Sequence, residues 1–151
     1  MLRHTFALLE CQHIEINEAV ADLMDLLERD TAALPRVVGE IRTRIMRLVA
    51  ANMQVEEERL FGPLRRFRLS GSIPCYTCVI KTTRDLRLQY SAHISTWPAR
   101  AIAADWQGYK QSTIALHRAA TALRQRKVKE LYPAAERLLS RAETRDLGLV
   151  E

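Results

Sequence analysis

Apolar residues along the opening stretch recur three and four positions apart. Phe6, Leu9, His13, Ile16, Val20, Leu23 and Leu27 form one stripe, interrupted only by an imidazole. That period places them on one face of an α-helix, because a strand would alternate every second residue. Asp30-Thr31-Ala32-Ala33-Leu34-Pro35 breaks the stripe. Pro35 suits the first turn of a second helix, where its missing N–H would have had no helical partner. The second stripe carries Val38, Ile41, Ile45, Leu48, Asn52 and Val55, with Val49, Met53, Glu56 and Leu60 beside it. Gly62-Pro63 predicts an end, or a kink followed by fraying through Arg66. The segment around 68–81 has no stripe and reads as the one substantial loop.

A third helix is expected after Thr82-Thr83, carrying Leu86, Tyr90, His93 and Trp97. Pro98 then predicts a kink or break. Ala99 through Trp106 reads as helical again, and Gly108 marks a junction. The last helix is expected over Ile114–Leu139, with Leu116, Ala120, Leu123, Lys127 and Leu131 near one face and a kink at Pro133. Beyond about residue 140 no stripe continues, so fraying is expected. Four amphipathic segments with short connections predict one all-α domain over 1–151, an antiparallel up-down four-helix bundle.

A chain of 151 residues with 48% hydrophobic content can bury a proper core. Only five glycines and five prolines leave little material for an all-β fold. Basic residues exceed acidic ones by five, but they are scattered over several helices. The densest runs, Arg65-Arg66-Phe67-Arg68 and Arg124-Gln125-Arg126-Lys127, are short. Aromatic content of 6% is too low for a base-stacking groove, which argues against nucleic acid. No apolar run approaches the ~20 residues that span a bilayer, so no membrane association is expected. Glu10 interrupts the only signal-like patch. Three cysteines do not make a disulfide framework, and a reducing cytoplasm is the expected location.

A polar residue on an apolar stripe costs free energy unless it finds a partner. His13, Asn52, Glu56, His93 and Lys127 hold such positions, and Asn52 and Glu56, four apart, share a helix face. Each taken singly is ordinarily a satisfied core group or a solvent-facing residue. Their occurrence on four helices points to a shared polar centre. Cys75-Tyr76-Thr77-Cys78 has the spacing of half a zinc site or of a redox pair. No second such pair exists, and Ile73, Pro74, Val79 and Ile80 favour a loop packed over one end of the bundle. His117 could serve phosphotransfer, but nothing around it resembles such a signature, and a surface histidine is the expectation. No nucleophile with a base, phosphate-cradling loop or hydrolytic carboxylate pair is present, so no enzyme is expected.

The run Asn52-Met53-Gln54-Val55-Glu56-Glu57-Glu58-Arg59-Leu60-Phe61 resembles the second-helix motif of hemerythrin-like (HHE cation-binding) domains. There a His is followed four residues later by Glu and then by a Leu-Phe-Pro ending. Lys129-Glu130-Leu131-Tyr132-Pro133 and the residues to Leu139 resemble the end of that family's fourth helix. Gln12-His13-Ile14 resembles its first-helix ligand region, and Ala92-His93-Ile94 the start of its third. The resemblance covers about residues 5–140 and implies a four-helix bundle around a di-iron centre.

Carried over residue by residue, it implies a degenerate metal site. His13, Glu56 and His93 match ligand positions. Asn52 stands where the second-helix His belongs, Leu123 at the fourth-helix His, and Lys127 at the fourth-helix Glu. An ammonium has no lone pair to give and repels a cation. Three readings follow for Lys127. It pairs with Glu56 within a network including His13, Asn52 and His93; or it reaches out to water; or His13, Glu56 and His93 hold one iron or zinc ion as a sensor. The first implies a bundle without cofactor or dioxygen chemistry, serving as a regulatory or protein-interaction module. Arg-rich faces and Trp106, Tyr109 and Ile114, which lie off the main stripes, are candidate contacts for a protein partner or a second copy.

Overall fold

The computed structural model describes residues 2–29, 35–146 and 148, the side chain of Pro35 excepted. Its first helix, α1 (Leu2–Glu28), buries Leu9, His13, Ile16, Val20, Leu23 and Leu27 as the period requires. Thr5 rather than Phe6 is the buried residue at the head of the stripe. The turn expected over 30–34 lies outside the described residues, and α2 (Pro35–Glu56) begins at the expected proline. Val38, Ile45, Asn52 and Glu56 are its fully buried members.

Helical backbone does not stop at Gly62-Pro63. A π turn, Glu57–Phe61, carries it into α3 (Gly62–Arg66). The Gly62 N–H reaches back five residues to the Glu57 carbonyl. The same device recurs before the other expected kink, where a π turn over Lys127–Leu131 joins α6 (Trp106–Arg126) to α7 (Tyr132–Asp146). There the Tyr132 N–H bonds the Lys127 carbonyl, again five back. A proline ring collides with the carbonyl four residues earlier. A turn widened by one residue moves that carbonyl aside, and the helix continues. The extra residue also lets two neighbours face inward. Leu60 and Phe61 are both buried, as are Leu131 and Tyr132.

The loop is shorter than the pattern implied. α3 ends in a Schellman arrangement, with Arg68 in the left-handed region and the Leu69 and Arg68 N–H groups bonded to Leu64 and Arg65. After a single tight turn, Ser70–Ser72, α4 (Tyr76–Thr96) begins with Cys75 at its N-cap, well before Thr82-Thr83. Ile73, Cys75 and Val79 are buried in one apolar cluster with Leu64 and Leu131, and this burial accompanies the early start of the helix. α4 stops as expected before Pro98, its last bond running from the Trp97 N–H to the His93 carbonyl. The short α5 (Ala99–Ala104) follows. The junction to α6 is at Asp105, not Gly108. The Asp105 carboxylate caps the helix by accepting the Gly108 N–H at 2.9 Å. A Cβ at position 108 would displace that carboxylate from its capping position. α7 persists to Asp146, beyond the expected fraying point.

Among the described residues there is no strand, and no helix is long and apolar enough to cross a membrane. α1 lies against α2, α6 and α7, and α4 lies against α6. Arg44 bonds Asp22 and Asn52 bonds Gln12, so positions advance along α2 as they recede along α1. Tyr90 with His117 and His93 with Thr113 show the same reversal between α4 and α6. Two apolar clusters result. One gathers Leu9, Leu60, Leu64, Leu123, Leu131 and Leu139, and the other Ile16, Leu23, Val38, Ile45, Ile102 and Tyr109. Trp106 and Tyr109 are buried in the second cluster and so support the core rather than face a partner, while Ile114 is partly buried beside it.

Candidate functional site

On α1, His13 falls between Leu9 of one cluster and Ile16 of the other; along α2 and the π turn after it, Asn52 and Glu56 fall between Ile45 and Leu60. The boundary between the clusters is therefore polar. At its centre the Lys127 Nζ donates to both Glu56 oxygens, at 2.9 and 3.1 Å. The two side chains are only 6% and 1% exposed. The Tyr132 hydroxyl donates to Glu56 Oε1 at 2.8 Å, and its oxygen lies 3.1 Å from His13 Nε2. A hydroxyl has one proton to give. With that proton on Glu56, His13 must donate through Nε2–H and is held as that neutral tautomer. Asn52 joins from α2, its amide donating to Gln12 on α1 at 3.1 Å.

The electrostatics agree with a neutral imidazole. Burial lowers the His13 pKa to about 4, with the charges of Lys127 and then Arg124 adding to the effect. Burial, then the Glu56 charge and hydrogen bond, drive the Tyr132 phenol far above its usual value. It stays protonated and remains a donor. Both π turns adjoin this centre: Glu56 immediately precedes one, Lys127 opens the other, and Tyr132 follows it. The widened second turn is what faces Tyr132 inward together with Leu131.

His93 is not brought into this group. Its Nε2 lies 3.1 Å from the Thr113 hydroxyl, and its ring tilts against Tyr109 at 5.6 Å. Arg42, whose guanidinium lies 5.8 Å from the Tyr109 ring centroid, adds to burial in lowering the His93 pKa. Beside it stands His117, which is buried and not on the surface as the sequence implied. Its Nδ1 lies 3.0 Å from the Tyr90 hydroxyl. Burial, Arg124 and His93 together bring its pKa down to about 4. The two-His, one-carboxylate set is thus divided between two polar groups. Among the described residues no three His, Cys, Asp or Glu side chains converge to hold a metal. Both Glu56 oxygens and His13 Nε2 are engaged by Lys127 and Tyr132.

Cys75 is buried within the apolar cluster, while Cys78 is exposed and 3.1 Å from an Arg126 guanidinium nitrogen. All three cysteines are free. Leu123 packs in the core. The sequence reading missed Tyr132, Gln12, His117 and Arg124. A signal for two of them was available: Thr113, His117, Ala120, Arg124 and Lys127 recur at four and three, a stripe of their own beside the one centred on Leu116. Compared with known proteins, the chain matches no family model, no curated protein and no solved structure.

Proposed function

We propose that this chain is an antiparallel four-helix bundle of hemerythrin-like layout in which an internal ion pair stands where that family holds its metal, and that it works as a regulatory or protein-interaction module in the cytoplasm, without dioxygen chemistry. The observation that carries the reading is the buried contact of Lys127 with both oxygens of Glu56. An ammonium at that point neutralises the carboxylate and, unlike a lost or neutral ligand, opposes a cation directly. The reversed pairings of α1 with α2 and of α4 with α6 support the bundle topology.

Metal analysis of the native protein, after growth with iron and zinc supplied, tests the central point. Native protein is expected to carry no stoichiometric metal. Lys127→Glu is expected to gain affinity for a divalent ion, because it places a second carboxylate beside Glu56 and His13. One equivalent of tightly held iron or zinc in the native chain would overturn the reading.

A further inference from the structure

We propose that the seam between α2 and α4 contains a binding site for a small carboxylate anion of about acetate size, held by Arg124 and Lys127 with Arg87 at its mouth. A cavity of about 60 Å³ opens there, backed by α1 and α6. Three cationic side chains line it, Arg87, Arg124 and Lys127, and no acidic one does. Lys127 has its counter-charge in Glu56, and Arg87 is exposed to water. Arg124 has neither. It is 9% exposed, one terminal nitrogen donates to the Thr121 hydroxyl at 3.1 Å, and its Nε is buried with no partner. Among the described residues no carboxylate pairs with it.

A buried guanidinium without an anion is a costly arrangement, because its desolvation is not offset by Coulomb attraction. A carboxylate is the natural complement of its planar fork. Asn52 adds a neutral polar group to the wall, and Leu86, Tyr90 and Leu123 add largely apolar surface. That mixture suits a carboxylate carrying a methyl group better than a fully hydrated inorganic ion. The volume admits about four heavy atoms, judged against the ~15 Å³ that one water-sized sphere occupies. Met53, Thr83 and Arg87 also border a neighbouring groove of about 430 Å³, whose lining includes Glu56 and Glu57 as well as Arg84. The Arg124 charge already acts inward, helping to depress the pKa values of His13 and His117.

The inference rests on reading Lys127 as an interior cation in place of a metal ligand, and metal content measured on the same sample separates the two. Titration of full-length protein with acetate, followed through the Arg124 Nε–H signal by nuclear magnetic resonance, is the direct test. Saturable movement of that signal is expected. Weakening of about tenfold or more is expected in Arg124→Gln, read from neighbouring amides, once its thermal unfolding shows a folded protein. Arg87→Ala, at an exposed position, should weaken binding by about twofold to fivefold. Metal-free protein whose signals ignore acetate, or respond equally in Arg124→Gln, overturns this inference alone. Saturation by chloride or inorganic phosphate but not by acetate overturns the carboxylate assignment. Tightly held stoichiometric metal overturns both readings.

Discussion

The two polar groups inside this bundle solve the same problem differently. Around Glu56 the interior holds opposite charges in direct contact, with Tyr132 and His13 completing the hydrogen bonds. Around His117 and His93 it holds imidazoles facing hydroxyl groups, and no acid takes part in the hydrogen bonds. Burial acts on both groups, yet only the first keeps formal charges, because only there does each ion find its counter-ion within 3 Å or so. In the second, the cheaper solution is a neutral ring, and the nearby Arg124 and Arg42 charges reinforce it. A carboxylate thus accompanies the charged base of the first group, whereas the Arg124 guanidinium, buried without one, stays charged because it does not deprotonate. The first group should accordingly be the more brittle one, since removing one partner strands an ion.

Glu56→Gln should produce the largest effect. It leaves the Lys127 ammonium buried with a neutral amide and should cost about 3–5 kcal/mol in urea unfolding. Glu56→Leu combined with Lys127→Met removes both charges and should recover most of that loss. A double variant as unstable as the single one would show that the pair itself, rather than the stranded charge, carries the energy.

The histidines of the two groups should leave a shared mark on the pH dependence. Both His13 and His117 are lowered from 6.5 to about 4 in the folded protein. The unfolded chain therefore binds protons more readily between those values. Stability should be complete above about pH 6.5 and fall as the pH drops toward 4, by on the order of 2–3 kcal/mol for each ring. His117→Gln and His13→Gln should each flatten part of that slope. A slope unchanged by either would remove these rings as its source.

Tyr132→Phe should cost about 1–3 kcal/mol, because it leaves a Glu56 oxygen and the His13 N–H without their shared partner. Tyr90→Phe, which frees one nitrogen of a neutral ring at a half-buried position, should cost about 1 kcal/mol or less. Equal losses would erase the contrast between the charged and the neutral group. As a reference, Asp22→Ala breaks only the exposed pair with Arg44 and should change stability by less than about 0.5 kcal/mol.

The helices were legible in the chain because their evidence is local. Leu9, His13, Ile16 and Val20 repeat with the helical period whatever they later touch. His13, Asn52, Glu56 and Lys127 were legible as anomalies for the same reason: each interrupts an apolar stripe. The early start of α4 was not legible, since Cys75-Tyr76-Thr77-Cys78 is locally loop-like. Only the burial of Ile73, Cys75 and Val79 in the same apolar cluster as Leu64 and Leu131 settles it. His117 and Arg124 were missed because the stripe centred on Leu116 already accounted for one face of α6, and the neighbouring face is buried as well.

The amino-acid order by itself determined which residues share a helix face and which polar side chains would need partners indoors. Tertiary structure alone decided who those partners are. Glu56 meets Lys127 across 71 residues and Tyr132 across 76, distances over which no local period carries information. His93 was drawn by the same rules toward the same centre but lies with Thr113 instead. The reason is geometric. Periodicity gives the face, whereas the partner depends on each helix's rotation and rise, and a single added residue in a π turn rotates everything after it by roughly a quarter turn.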